Sequence, residues 1–359
     1  MTPVLICCGA GGVGKTTSAA GLALAQARAG ARVVVLTIDP ARRLADALGV
    51  SVGNEPSEVR LPPSLEARGT LHALMLDPKE TFDRVVARFA PTPAARDRIY
   101  RNHIYQHVSA NLAGAQEYMA MERLYELSRD GRWDCVVLDT PPTRHALDFL
   151  AAPDRMANLM DEGVMRWLVL PASRGGWRMI ERGSEVLASV LERMVGNSTI
   201  ADIAEFFTAF QALWAGFRER SLEVRALLAA PTTRFFLVTT SAPAARAEAR
   251  LFVEQLRSHR QPLAGFLLNR CLVAPTAVGS PDFGPAVDID GWADTVRAVG
   301  RLPDLQRARF AVQEANIAEL VRGTTAPVWR IPDLGEGVHD LAGIARLSLH
   351  LGALARVGG

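Results

Sequence analysis

The chain is predicted to form an α/β fold, doubly wound around a mostly parallel sheet. Short runs of β-branched and other apolar residues recur at 4–8, 33–38, 71–76, 135–138, 235–238, 265–268 and 328–331, with helical stretches between them. Several runs are apolar without interruption, as expected for strands covered on both faces. Alternation with helices supplies the right-handed crossovers of a parallel sheet. Two stretches, about 79–130 and 150–228, contain no convincing strand and read as long helical territory. Because they interleave with the strands, one domain spanning 1–359 with an inserted helical subdomain is expected.

The first strand comprises Val4, Leu5, Ile6, Cys7 and Cys8, with the two thiols pointing to opposite faces. Directly after it, Gly9, Ala10, Gly11, Gly12, Val13, Gly14, Lys15 and Thr16 fit G-x-x-x-x-G-K-[ST], with a helix following. Glycines at this spacing let successive backbone N–H groups converge on a phosphate, and the helix N-terminus adds its positive dipole end. Lys15 would reach the β- and γ-phosphates, and the Thr16 hydroxyl would complete the shell of a Mg2+ ion. Gly11, Gly12, Val13, Gly14, Lys15, Thr16 and Thr17 are therefore the candidate nucleotide contacts. A glycine-rich turn that matched by chance would not also carry the strand, the helix and a rare lysine. Lys15 and Lys79 are the only lysines among the 40 basic residues, which points to a lysine-specific role.

The second apolar run leads into Asp39 and Pro40, a strand-to-loop exit. Carboxyl ends of central strands face the ligand in open α/β sheets, so Asp39 is placed to orient and polarise an attacking water. Alternatively, it caps a helix beginning near Ala41. Asp139 ends the run Val136, Val137, Leu138 and precedes Thr140, Pro141, Pro142 and Thr143. A carboxylate there either holds Mg2+ through a water or caps a turn. The stiff proline pair suits a segment that moves as a unit when a γ-phosphate is lost. Lys15 and Asp39 are the catalytic candidates, Thr16 and Asp139 the metal ligands, and ATP with Mg2+ the expected cofactors. The expectation is an ATPase that couples hydrolysis to a change of shape.

Farther along, Ile200, Ile203, Phe206, Phe207, Phe210, Leu213, Trp214 and Phe217 fall at helical spacing and make one broad apolar face. The Gly- and Pro-rich piece at 275–291 reads as a loop. Near the end, Leu341, Ile344, Leu347, Leu351 and Leu354 form a stripe that is expected to pack against the domain.

Bulk properties narrow the classes. The chain has 359 residues, 49% hydrophobic and 22% charged, which is globular composition. A formal net charge of +2 implies no sequence-independent grip on nucleic acid. Cys7, Cys8, Cys135 and Cys271 are few and scattered with no C-x-x-C pair, so neither structural zinc nor a disulfide framework is expected. Small buried thiols in a reducing compartment fit this pattern. No apolar run approaches the roughly 20 residues that span a bilayer. The chain is expected to be soluble and cytoplasmic.

Four blocks resemble the ArsA family, which includes arsenite-pump ATPases and ATPases that target tail-anchored membrane proteins, within the wider group of MinD, ParA and the nitrogenase iron protein. They are residues 9–17; Thr37, Ile38, Asp39, Pro40, Ala41, Arg42, Arg43, Leu44, Ala45 and Asp46; residues 139–150; and the pair Asn269 and Arg270 after a strand. The second and third look like the family's two switch segments. The run Gly114, Ala115, Gln116 and Glu117 is similar to a further family segment. This resemblance implies that Asp39 positions the hydrolytic water, Asp139 serves Mg2+, and Asn269 hydrogen-bonds adenine. It also implies that the loop from Pro332 to Val338 borders the base.

Two departures stand out. Ala10 occupies the place of a family lysine that reaches across a dimer to the partner's phosphates, and Arg144 replaces a glycine. Either Arg144 supplies missing positive charge, or a related subunit carrying the lysine pairs with this one, or Ala10 only slows turnover and Arg144 is a solvated surface residue. A homodimer or a heterodimer is expected. For the moved object, a hydrophobic protein client is the first expectation. Met156, Met160, Met165, Met179 and Met194 cluster with Trp167 and Trp177 in one segment, and flexible methionines suit promiscuous apolar grooves. An ordinary helical core is the plain alternative. An arsenite-pump motor would need clustered thiols, and a MinD-like surface protein would need the C-terminal stripe to face lipid. Membrane contact is expected to be transient at most.

Overall fold

The computed structural model describes residues 1–39, 41–103, 105, 106, 109, 115–141, 151, 152, 213–275, 292–335 and 338–356. Its strands are β1 (Val4–Gly9), β2 (Arg32–Thr37), β3 (Ser57–Glu58), β4 (Thr70–Met75), β5 (Cys135–Asp139), β6 (Thr233–Thr239), β7 (Leu263–Cys271) and β8 (Val328–Pro332). The described helices are α1 (Lys15–Arg28), α2 (Arg43–Leu48), α3 (Pro78–Phe89), α4 (Pro93–Arg101), α5 (Ala115–Arg129), α6 (Trp214–Ala229), α7 (Pro243–Ser258), α8 (Trp292–Leu320) and α9 (Leu341–His350).

One eight-stranded sheet runs in the order β3-β4-β2-β5-β1-β6-β7-β8. Every pairing is parallel except β3 with β4, an antiparallel edge. The chain winds outward from β1 to β2 and β4, returns to insert β5 beside β1, and then winds the other way through β6 to β8. Alternate residues of the central strands enter different cores, as uninterrupted apolar runs require. Val4, Ile6, Cys8, Val34, Leu36, Val136 and Leu138 join one apolar cluster with residues of α3, α5, α6 and α7. Leu5, Cys7, Val33, Val35, Cys135 and Val137 join the other with α1 and α9. The predicted split of Cys7 and Cys8 between faces is observed.

Local chemistry sets the helix starts. Asp77 and Thr92 accept from the backbone N–H of Glu80 (2.8 Å) and Ala95 (3.1 Å), each followed by a proline at the first helical position. Asp340 caps α9 in the same way, accepting from Gly343 at 2.8 Å. The stripe on α9 lies in the core: Ile344, Leu347, Leu351 and Leu354 are buried, and Leu341 packs on the same cluster. It crosses α1 closely, because a Cβ on Gly21 would stand 2.2 Å from Leu347.

The structure departs from the sequence reading in four places. β3 is a strand that apolar patterning does not reveal, since its two residues are polar and it pairs through the backbone with Ala73 and His72. β2 ends at Thr37, so Asp39 lies two residues beyond it. α2 begins at Arg43 rather than near Ala41, after Arg42 takes a left-handed φ of 55°. Asn269 lies within β7 rather than after it, because pairing resumes past an irregularity to match Cys271 with Pro332. Pro40, the segments 142–150 and 153–212 with Arg144 and the methionine cluster, Gly114, and loop residues 276–291 lie outside the described residues. Of the apolar face at 200–217, Leu213, Trp214 and Phe217 fall within the described residues, and Leu213 and Phe217 are fully buried. Among the described residues no helix is long and apolar enough to cross a membrane.

Candidate functional site

The glycine loop leaves β1 at the centre of the sheet and enters α1. Gly12 and Gly14 take φ values of 75° and 92°, a region that L side chains rarely adopt. Gly14 is doubly constrained, since a Cβ there would meet the Asn269 amide nitrogen at 2.3 Å. Gly9 is held as tightly from the other side, where a Cβ would meet the Val238 carbonyl at 2.1 Å. Asn269 braces the loop: its side-chain amide donates to the Val13 carbonyl at 2.9 Å, and its oxygen accepts from the Arg270 N–H at 3.0 Å.

Lys15 opens α1 and is largely buried, donating to the Ala10 carbonyl at 2.7 Å. Burial lowers its pKa, opposed by Asp139, Cys8 and Asp39, while Arg43 adds to the lowering. Beside it, Asp139 at the end of β5 is buried. Its Oδ2 accepts from the hydroxyls of Thr16 (2.8 Å) and Thr37 (3.0 Å). Burial pushes the Asp139 carboxyl up to about 6, opposed by those two hydroxyls and Lys15, with Asp39 adding to the rise. The other oxygen, Oδ1, has no hydrogen-bond partner among the described residues.

A buried carboxylate oxygen without a donor, next to two hydroxyls, is a hard-oxygen set that fits Mg2+. Thr16 and Asp139 fit the ion, with Thr37 as a supporting hydroxyl.

Asp39 sits on the loop after β2. Its Oδ1 accepts from the Ala41 N–H at 2.9 Å, and its Oδ2 lies 3.5 Å from the Arg43 guanidinium. The carboxylate thus shapes the turn before α2 and faces a cation, but it does not cap the helix, whose N-cap position is Arg42 with no side-chain cap bond. Gln116 donates to the Ile38 carbonyl at 3.4 Å, tying α5 to this loop.

A cleft of about 410 Å3 is lined by Gly12, Gly14, Lys15, Thr16, Thr17, Arg43, Asp46, Val338 and His339, among others. It brings together Gly12, Gly14, Lys15, Thr16 and Thr17 of the predicted contacts with Val338 of the expected base-bordering loop, whereas Gly11, Val13, Asp39 and Asp139 are not in its lining. Asn269 adjoins it through Val13 and Gly14, whereas Pro332, the last residue of β8, is absent from its lining. Arg43, Asp46 and His339 enter the cleft without having been singled out. For Arg43 and Asp46 the signal was their place in the block after Asp39, and His339 offered none.

A glycine loop feeding a helix beside a buried strand-end aspartate, at the centre of a doubly wound sheet, defines the P-loop class of nucleotide-binding folds. The chain belongs to the ArsA ATPase family, described as anion-transporting ATPases, whose profile matches residues 2–212. It is similar to the ATPase get3 of Schizosaccharomyces japonicus, at 30% identity over 145 residues that cover 40% of this chain and 42% of that protein. It is also similar to a putative arsenical pump-driving ATPase of Chlorobaculum tepidum, at 29% identity over 181 residues, 48% of this chain and 41% of the relative. Protein Rv2184c of Mycobacterium tuberculosis is 31% identical over 194 residues, 52% of this chain and 44% of its own length. The matched regions span less than half of each of these relatives.

Proposed function

We propose that the chain binds ATP with Mg2+, hydrolyses it to ADP and phosphate, and uses the cycle as a conformational switch. The observation that carries this reading is the meeting of the Thr16 and Thr37 hydroxyls on one oxygen of buried Asp139, beside Lys15 at the mouth of the glycine loop. In this reading the backbone N–H groups of Gly11, Gly12, Val13 and Gly14 face the phosphates, with Thr17 next in line. Lys15 exchanges the Ala10 carbonyl for phosphate oxygens. Thr16 and Asp139 would hold the metal, which when bound neutralises charge on the phosphates. Asp39 orients the attacking water, and Asn269 and Pro332 stand toward the adenine side.

The helices between β4 and β5, and those between β5 and β6, are proposed as one inserted helical subdomain of a single domain working in the cytoplasm. That subdomain is the proposed seat of a hydrophobic protein client, with the chain acting as a homodimer or beside a related subunit. Two alternatives find less support. All four cysteines are buried, unlike the clustered soft thiols of a metalloid site, and the stripe that a membrane-surface role needs lies in the core.

Asp39→Asn tests the assignment of the water-positioning group. The variant is expected to keep ATP affinity and lose about 100-fold or more in hydrolysis rate, the usual scale for removing a positioned base. Equal turnover by variant and parent would remove Asp39 from the mechanism.

A further inference from the structure

Arg43 is a cation in the nucleotide cleft that the reading above leaves without a task. It stands at the first position of α2, lines the same cleft as Gly12, Lys15 and Thr16, and its guanidinium lies 3.5 Å from Asp39 Oδ2. Its side chain is 70% exposed, so it is not fixed by packing, whereas the Asp39 side chain is 24% exposed. Arg42 before it is held in the left-handed region at φ 55°. A non-glycine residue in that conformation costs on the order of 1 kcal/mol and is kept where surrounding structure demands it. Here the turn brings residue 43 to the cleft.

A nucleoside triphosphate presents several negative charges, and the loop itself offers one ammonium, Lys15; position 10 carries a methyl group. We infer that Arg43 is a second cation in cis, beside Lys15, that recognises the γ-phosphate, and that the Asp39–Arg43 pair is the resting state of this contact. On this account, which rests on the ATP-binding reading, a triphosphate draws the guanidinium from Asp39 and frees that carboxylate to face water. ADP, with no γ-phosphate, leaves the pair closed. A guanidinium fork suits phosphate oxygens better than an ammonium, so lysine at position 43 would restore charge but only part of the contact.

The test is equilibrium binding of ADP and of an ATP analogue with an uncleavable β–γ bridge, both with Mg2+, to the parent, Arg43→Ala and Arg43→Lys. Arg43→Ala is expected to weaken the triphosphate about ten- to hundredfold, the range for one charge-assisted hydrogen bond. ADP affinity is expected to stay within about threefold, as for loss of an exposed ion pair. Arg43→Lys should fall between parent and alanine variant for the triphosphate alone. Equal losses for both nucleotides, or no loss for either, would overturn the inference while leaving the phosphate site standing. A parent chain that binds neither nucleotide would overturn the ATP-binding reading itself.

Discussion

Asn269 braces the loop through its side-chain amide, and its proposed second task is to read the base. An asparagine amide carries two donors and two acceptor lone pairs, and the contacts to Val13 and Arg270 use one of each. One donor and one lone pair are left over for the proposed contact to a base. Its Nδ2 also lies where a Cβ on Gly14 would stand, so the pair Gly14 and Asn269 is a matched fit in which neither can grow. Removing the amide takes away a buried hydrogen bond worth about 1 kcal/mol. Asn269→Ala is expected to weaken ATP about fivefold or more, measured by nucleotide titration with GTP in parallel. If the residue acts only by bracing the loop, the two nucleotides weaken together; if it reads adenine, ATP alone suffers. Unchanged affinity for both would rule out either role. The residue was found from its place in a family motif, while its grip on Val13 depends on β7 running on to Cys271, which no local pattern displays.

At the scale of helices, α3, α5 and α6 are held by charge as well as by apolar contact. Glu122 on α5 is fully buried between Arg220 of α6, at 3.1 Å, and Arg88 of α3, at 3.8 Å. Arg220 also lies over the Tyr125 ring, 4.2 Å from its centroid. Burial raises the Glu122 carboxyl from its ordinary 4.5 to about 7, helped by Glu126 and Glu223 and opposed by Arg220 and Arg88. The folded state therefore holds this proton more tightly than the unfolded chain. Its contribution is fully present below the unfolded value and is lost as pH rises through the folded one. Glu122→Gln, which stays neutral, should flatten the fall in thermal stability between about pH 4.5 and 7 by on the order of 1–3 kcal/mol. Melting temperatures across that range check this, and identical pH profiles for parent and variant would count against it. Helical territory at 79–130 was legible from the want of a convincing strand there, and its described elements include the helices Pro78–Phe89, Pro93–Arg101 and Ala115–Arg129. The ion cluster was not legible, because Glu122 is an ordinary helix residue in sequence and becomes buried only when three helices meet.

For the molecule as a whole, short apolar runs revealed seven of the eight described strands, several of them uninterrupted because a strand buried on both faces leaves no polar positions. The two-residue β3 escaped because backbone pairing alone defines it. The C-terminal stripe could have met lipid or protein. Its buried residues, at about 1.5–3 kcal/mol each for full burial, contribute on the scale of the entire stability of a domain, so α9 is part of the core rather than a detachable anchor. The loop, Lys15 and Thr16 stood out by their spacing and Asp139 by its place at a strand end, and the structure brings Thr16 and Asp139 to 2.8 Å. Arg43 offered only its place in the block after Asp39 and His339 offered nothing, because chain turns, not spacing, carry them to the cleft. All of the chemistry proposed depends on the loop amides and Lys15 enclosing phosphates at the head of α1. The most direct measurement is ATP affinity of Lys15→Ala by equilibrium titration, with a melting curve to show that the variant is folded. The account predicts a loss of about 100-fold or more, the scale of a buried charge-assisted contact, in a protein that still melts cooperatively. A folded Lys15→Ala protein that binds ATP as tightly as its parent would contradict it.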